Sequence, residues 1–120
     1  MIKAIRGATT SENTRDSIIS NTKSLLNEIL AANNLETDQI ISALFSCTKD
    51  LNAAYPAVAA RGLGMTQASL MCVQEMDVPG SLPMCIRVQI TAVTSGTQGD
   101  AKHIYMKEAR ALRPDLIDNT

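Results

Sequence analysis

The pattern of apolar and polar positions predicts one long helix and several short strands. Residues 2–6 (IKAIR) are short and apolar-rich, so they predict a first strand, with a turn at 7–10 that begins at Gly7. Over residues 14–33 apolar side chains recur every three or four positions, as on one face of a helix. This segment predicts a single long amphipathic helix.

Four further segments have recognisable patterns. The apolar run at 40–47 (IISALFSC) predicts a largely buried second strand, and 68–73 predicts a third. Residues 56–61 (PAVAAR) predict a short helix, because a proline in the first helical turn loses no hydrogen bond. Residues 86–93 alternate between an aliphatic face and a polar face, which predicts a strand whose Arg87 points away from the aliphatic side.

The segment 102–112 (KHIYMKEARAL) fits two structures. Its residue types favour a helix, whereas the alternation of His103, Tyr105 and Lys107 with Ile104 and Met106 fits a strand. The pattern alone does not decide between them.

Together these elements predict a single α+β domain over residues 1–120. A mixed sheet would be covered on one side by the long helix and the short ones. The second face of such a two-layer sheet has no cover within the chain, and its strands carry few charges. We therefore expect that face to meet other subunits in a homo-oligomer.

Composition narrows the possible partners. Eleven Lys and Arg residues against twelve Asp and Glu give a net charge of -1, which makes nucleic acid an unfavourable partner. No segment approaches the roughly 20 apolar residues of a membrane helix, so we expect a cytoplasmic protein. The three cysteines lack the spacing of a zinc site or a disulfide framework and are expected to be reduced.

Motifs for nucleotide, metal or serine-hydrolase chemistry are absent from the sequence, which favours a site without a cofactor or metal. The single histidine, His103, lies in a polar run typical of a solvated surface residue. Cys72 has no neighbour in sequence that would stabilise a thiolate, so a buried, inert thiol is the simpler interpretation.

The arginines carry more information. Arg6 and Arg87 lie at or within predicted strands, Arg61 ends the short helix, and Arg113 lies in the segment LRPDL. Because a buried guanidinium needs an anionic partner, Arg87 pairs either with Glu75 in a structural ion pair or with an anionic ligand in a shared cavity. Composition leaves both alternatives open.

Four segments together resemble a known family. They are IRGATT (5–10), SCTKDLNAAYPAVAAR (46–61), CVQEMDVPGSLPMCIRV (72–88) and HIYMKEARALRPDL (103–116). In order and over nearly the whole chain, they resemble the small monofunctional chorismate mutases of the AroH class. The most specific parts are QEMDV followed by CIRV, and then LRPDL.

The resemblance implies a homotrimer that forms a pseudo-α/β barrel, with three active sites in the clefts between subunits. The implied reaction is the Claisen rearrangement of chorismate to prephenate, on the route to phenylalanine and tyrosine. No cofactor, metal or covalent intermediate is implied, because a pericyclic shift needs neither a nucleophile nor a proton transfer. The resemblance also implies a strand at 102–109.

The resemblance also implies roles for individual residues. Arg87 would donate to the ether oxygen of the breaking bond, and Glu75 would accept a hydrogen bond from the ring hydroxyl. Arg6 and Tyr105 would hold the carboxylate of the enolpyruvyl side chain. Arg61 of a neighbouring subunit would lie near the mouth of the site.

The remaining implied contacts surround this centre. Cys72 would pack near the ring hydroxyl, and Arg113 belongs to a C-terminal tail that closes over the ligand. The implied apolar walls are Tyr55, Ala57, Leu70, Met71 and Leu112.

The chain departs from the family pattern at three positions, and two alternatives remain. Val58 stands where some relatives have lysine, Met71 where threonine is common, and Tyr55 where phenylalanine is common. These changes bear on substrate affinity more than on the reaction. The alternatives are an enamine or imine hydrolase of a similar trimeric fold, and a non-catalytic trimer that binds a metabolite.

Overall fold

A mixed five-stranded sheet lies at the centre of the computed structural model, which describes residues 1–112. The strands are β1 (Ile2–Thr10), β2 (Ile40–Cys47), β3 (Ser69–Gln74), β4 (Cys85–Val93) and β5 (Ile104–Tyr105). Their order across the sheet is β3-β2-β4-β1-β5. Strand β4 is antiparallel to both of its neighbours, whereas the outer pairs β2–β3 and β1–β5 are parallel. The α+β class and the mixed sheet expected from the sequence are confirmed.

Two α-helices cover one face of the sheet. They are α1 (Arg15–Ala32) and α2 (Ala57–Gly62), and short 3-10 turns occupy Thr37–Gln39, Gln98–Asp100 and Lys107–Ala111. Among residues 1–112, no helix combines the length and apolarity that a bilayer crossing requires.

Helix α1 confirms the prediction from apolar spacing. The Thr14 side chain accepts a hydrogen bond from the backbone N–H of Ser17 at 3.1 Å, which satisfies one of the unpaired donors at the helix start. Asn33 follows the last turn as the C-cap. The side chains buried on one face of the helix are Ile18, Thr22, Leu25, Leu26 and Ile29.

Strand β1 corrects the predicted turn at Gly7. The strand continues through Gly7 to Thr10, and Gly7 pairs with Val88 in β4. A Cβ atom at Gly7 would lie 2.7 Å from Cδ1 of Ile29 in helix α1. Gly7 therefore allows helix α1 to pack closely on the sheet. In the sequence alone, a glycine at this position also fits a turn, which is why the turn was predicted.

Strand β5 is shorter than the strand implied for 102–109. Only Ile104–Tyr105 pairs with β1, where Tyr105 lies beside Ala8. Lys107 then adopts a left-handed backbone conformation (φ 53°), which ends the extended run, and a 3-10 turn covers Lys107–Ala111. Neither a continuous strand nor a continuous helix forms.

The two faces of the sheet differ in their environment. The aliphatic side chains of β4 predicted to share a face are buried beneath the helices: Ile86, Val88, Ile90 and Ala92. We call the opposite side the outer face. It carries the exposed apolar side chains Leu44, Met71 and Val73 on β2 and β3. Among residues 1–112 this face is open over β2 and β3, as the two-layer pattern predicted. Near β1 it is partly covered, because Ala109 in the 3-10 turn Lys107–Ala111 packs with Ala8 and Cys85 in a small buried cluster.

Candidate active site

Arg87 lies near the centre of the outer face. Its strand β4 runs between β1 and β2, and Arg87 pairs with Ala8 on one side and Ser46 on the other. Because its neighbours Ile86 and Val88 point into the core, alternation directs Arg87 outward. Its side chain is 49% exposed. The prediction that Arg87 leaves the aliphatic face is confirmed.

Glu75 approaches Arg87 from the end of β3. Its backbone N–H donates to the carbonyl oxygen of Cys47 at 2.8 Å, which holds the residue beside the end of β2. The hydroxyl of Ser46 donates to Oε1 of Glu75 at 2.7 Å. The same oxygen lies 3.6 Å from Nε of Arg87, within ion-pair range but longer than a hydrogen bond.

These two side chains face a cavity of about 370 Å³ on the outer face, which we call the Arg87 cavity. Its volume lies in the range of about 300–1,000 Å³ found for small-molecule sites. Two arginines and one glutamate give its lining a positive balance, which suits an anionic ligand. The lining residues are Arg6, Gly7, Ala8, Leu44, Ser46, Glu75, Arg87, Val88, Gln89, Tyr105 and Leu112.

Arg6 and Tyr105 both line this cavity. Arg6 is on the outer face of β1, and Tyr105 follows on the adjacent strand β5. The backbone N–H of Arg6 donates to Nδ1 of His103 at 2.9 Å. His103 is thus half-buried against the edge of β1, which corrects its interpretation as a solvated surface residue. In the sequence, the alternation of His103 and Tyr105 with Ile104 and Met106 was the signal that this segment lies along a strand.

Comparison with known proteins identifies the family. The chain matches the family model of type I chorismate mutases over residues 2–116. The chain belongs to the type I chorismate mutases. It is 43% identical to chorismate mutase AroH of Bacillus subtilis (strain 168) over 118 residues, which cover 97% of this chain and 93% of the relative. It is 42% identical to chorismate mutase AroH of Thermus thermophilus, with 97% of each covered.

A solved chorismate mutase from Clostridium thermocellum has the same fold. Its TM-score is 0.88 at 51% sequence identity, covering 90% of this chain and 97% of that one. The comparisons confirm the family that the sequence resembles, and chorismate mutases are isomerases. The hydrolase and the non-catalytic alternatives are therefore not favoured.

A second group of expected chorismate mutase residues lies apart from the Arg87 cavity in a single chain. Tyr55 and Cys72 line a different cavity of about 550 Å³. Ala57 is buried in the core, and Leu70 packs against the core from β3. Arg61 is exposed at the end of α2.

Cys72 illustrates the separation of the two groups. It packs against the core from the helix side of β3, whereas Glu75, three residues later, faces the Arg87 cavity. Burial raises the pKa of the Cys72 thiol, although a hydrogen bond with the Ala57 backbone and the charge of Arg61 oppose this effect. The expected packing of Cys72 beside the site of Glu75 is not made within one chain.

The remaining expected residues are divided between the outer face and the tail. Met71 is exposed on the outer face, on the same strand as Cys72 but with the opposite orientation. Leu112 lines the Arg87 cavity, as expected for an apolar wall. Arg113 lies outside the described residues.

Six residues that line the Arg87 cavity were not among the predicted site residues: Gly7, Ala8, Leu44, Ser46, Val88 and Gln89. Ser46 is the most informative, because it holds the Glu75 carboxylate. Alternation in β2 could have identified it. Phe45 and Cys47 are buried, so Ser46 between them must face the same side as Arg87.

Proposed function

We propose that the Arg87 cavity binds chorismate and catalyses its Claisen rearrangement to prephenate, on the route to phenylalanine and tyrosine. The observation that carries this proposal is the placement of Arg87 and Glu75 side by side on one cavity, with Arg6 on the same face. Chorismate presents matching groups: two carboxylates, a ring hydroxyl and an ether oxygen.

The reaction needs donors and acceptors rather than a nucleophile. One C–O bond breaks while one C–C bond forms within the same molecule, and no proton or electron leaves the substrate. Negative charge grows on the ether oxygen as the C–O bond lengthens. The Arg87 guanidinium donates to that oxygen and so stabilises the transition state more than the bound substrate.

Glu75 would accept a hydrogen bond from the ring hydroxyl of chorismate. Its Oε1 already accepts from Ser46, so the carboxylate is oriented before the ligand arrives. A carboxylate has about four acceptor positions, which leaves room for a ligand hydroxyl beside Ser46 and Arg87. Glu75 therefore fixes the ring while Arg87 acts on the bond that breaks.

Arg6 and Tyr105 would restrain the enolpyruvyl side chain through its carboxylate. The rearrangement requires a chair-like conformer in which the two reacting carbons are close, and holding reactive groups in place lowers the entropic part of a barrier. Enzyme accelerations begin near ~10⁶-fold, or about 8 kcal/mol, whereas one preorganised donor supplies about 3–4 kcal/mol. Arg87 thus needs the restraint that the other groups provide.

We further propose that a homotrimer completes each site, in a pseudo-α/β barrel with clefts between subunits. The exposed fractions of the Tyr55 and Met71 side chains, 71% and 62%, support this arrangement, because large apolar groups are usually covered in the functional assembly. Tyr55 and Arg61 of a neighbouring subunit would close the mouth of the Arg87 cavity. We expect this assembly in the cytoplasm, with no nucleic-acid or membrane partner.

An assay with chorismate tests the proposal. Purified protein is incubated with chorismate, the loss of chorismate absorbance is followed, and prephenate is identified in the product. Heat-denatured protein gives the spontaneous background. Prephenate formation well above that background is expected, and a rate equal to the background would overturn the proposal.

A further inference from the structure

The segment 46–50, which comprises the last two residues of β2 and the three that follow, holds both ends of the loop that separates Glu75 from Arg87. At the start of that loop, the Cys47 carbonyl accepts from the Glu75 N–H at 2.8 Å and the Ser46 hydroxyl donates to the Glu75 carboxylate at 2.7 Å. The distance between the Glu75 carboxylate and the Arg87 guanidinium therefore depends on the conformation of this segment.

Asp50 holds the other end of the same loop. Its carboxylate accepts the backbone N–H of Met84, which lies 3.1 Å from each of the two carboxylate oxygens. The Thr48 hydroxyl donates to Oδ1 of Asp50 and accepts from the backbone N–H of Cys85 at 3.0 Å. The backbone N–H of Thr48 also donates to the Cys85 carbonyl at 3.1 Å. Asp50 and Thr48 together fix Met84, the residue before β4, and Cys85, its first residue.

The backbone at Met84 needs such support. Met84 has a φ of 54°, in the left-handed region that residues other than glycine rarely occupy. Such a conformation persists only where surrounding contacts over-determine it. Asp50 binds the Met84 N–H, and the Ser11 N–H donates to the Met84 carbonyl at 3.0 Å. Both polar backbone groups of this residue are therefore held.

We propose that Asp50 is a positioning residue for Arg87. Met84 immediately precedes β4, and Arg87 is the third residue of that strand. The Asp50–Met84 hydrogen bonds therefore set where the Arg87 guanidinium stands relative to Glu75. Asp50 is not among the residues that line the Arg87 cavity, so its effect passes through Arg87. The inference rests on the proposed function, because it concerns the donor that acts in the transition state. A misplacement of about 1 Å in such a group lowers rates by up to ~10²-fold.

The first test is Asp50→Asn, which keeps the size of the side chain but removes its charge and one acceptor oxygen. We expect kcat to fall by about 10-fold with KM changed less than about threefold, because Arg87 acts mainly in the transition state. Asp38→Asn is the matched control, since Asp38 is an exposed carboxylate in the Thr37–Gln39 turn. It should retain the wild-type kcat. An Asp50→Asn variant that folds and keeps the wild-type kcat would overturn the inference.

A double-mutant cycle separates positioning from a general loss of structure. Arg87→Lys keeps a cation but removes the planar guanidinium, and its residual activity serves as the background. If Asp50 acts through the guanidinium, Asp50→Asn costs less than about twofold in that background. An equal loss in both backgrounds would overturn the proposal.

Two further measurements keep the test decisive. If Asp50→Asn does not fold, Thr48→Val replaces it in the same cycle, because it removes the hydroxyl that links Asp50 to Cys85 while preserving side-chain shape. Wild-type protein that forms no prephenate contradicts the proposed function itself. An active wild type with an unaffected Asp50→Asn variant contradicts only the role of Asp50.

Discussion

Nε of Arg87 and Oε1 of Glu75 lie 3.6 Å apart on the face of the sheet opposite α1 and α2. The pair is close enough for attraction but too long for a hydrogen bond, and both side chains remain partly exposed, Glu75 to 29%. A structural ion pair buried in the core would be hydrogen-bonded and would be shielded from solvent. The two charges therefore border a space that a ligand can enter, and the sequence alternative of a purely structural pair is disfavoured.

The first prediction concerns Arg87→Ala. We expect kcat to fall by at least ~10²-fold, as found when a preorganised donor to a developing oxyanion is removed. The oligomeric state and the thermal stability should be nearly unchanged, because the Arg87 side chain is half exposed and surface ion pairs contribute little. Steady-state kinetics with chorismate, size-exclusion chromatography and thermal denaturation measure these three properties.

Arg110→Ala is the matched control for this prediction. Arg110 is an exposed arginine in the 3-10 turn Lys107–Ala111 and does not line the Arg87 cavity. It should retain wild-type turnover. Near-wild-type turnover of Arg87→Ala would instead remove Arg87 from its assigned role.

The second prediction is that Cys72→Ser keeps most of its activity. Burial raises the pKa of the Cys72 thiol, so the thiolate is scarce at neutral pH, and the proposed rearrangement forms no covalent intermediate. We expect kcat/KM within about fivefold of wild type, since serine is similar in size and shape to cysteine but cannot form a thiolate. A folded but inactive variant would favour covalent catalysis and contradict the mechanism.

Two different patterns predicted the central strands, a continuous apolar run for β2 and alternation for β4. The predicted span 40–47 matches β2, and 86–93 lies within β4. The predicted end of the first strand at Gly7 was wrong. The glycine is needed because α1 packs closely against it, and this tertiary contact cannot be read from the local sequence. Strand β5 has two paired residues, so the alternation at 103–107 was too short to decide between a strand and a helix.

The site was predicted unevenly. Arg6 on β1, Glu75 just after β3 and Arg87 on β4 meet at one cavity. The family resemblance brought them together where spacing could not. Ser46 was missed although alternation places it on the same face. The role proposed for Asp50 depends on hydrogen bonds to the backbone of Met84, which residue types do not encode.

The third prediction follows from Gly7. Gly7→Ala brings a Cβ to 2.7 Å from Cδ1 of Ile29 and 3.3 Å from the carbonyl oxygen of Ile104. We expect a loss of about 1–3 kcal/mol in the free energy of unfolding, typical of overpacking. Gly99→Ala is the control, because its nearest contact, Oγ1 of Thr97, is at an ordinary 3.8 Å. Denaturant titration measures both, and equal stability of the two variants would contradict the close packing of helix on sheet.

The fourth prediction concerns stability at high pH. Burial raises the pKa of the Cys47 thiol from its ordinary value of 9.0 to about 12, and the nearby Cys72, Cys85 and Asp50 act in the same direction. Above pH 9 the unfolded chain releases this proton while the folded protein keeps it. The stabilising contribution is therefore fully present below pH 9 and is lost as pH rises toward about 12, by up to about 1.4 kcal/mol per pH unit.

Cys47→Ala tests this pH dependence. The variant is less stable at neutral pH because buried volume is lost, but its free energy of unfolding should fall less steeply between pH 9 and 11. Some slope remains, because burial also raises the pKa values of Cys72 and Cys85. Parallel pH profiles for variant and wild type would exclude Cys47 as the source.

The last prediction tests whether each site is shared between subunits. Arg61→Ala and Arg87→Ala chains, each impaired alone at chorismate concentrations well below KM, are co-expressed with different tags. If a site takes Arg87 from one subunit and Arg61 from the next, every mixed trimer contains one cleft in which both arginines are intact. Random mixing then restores about a quarter of wild-type activity, because three quarters of the trimers are mixed and each has one intact site of three. Arg87→Ala mixed with the Arg61→Ala/Arg87→Ala double variant has no intact cleft and should stay inactive. Activity equal to the average of the two single variants would contradict shared sites.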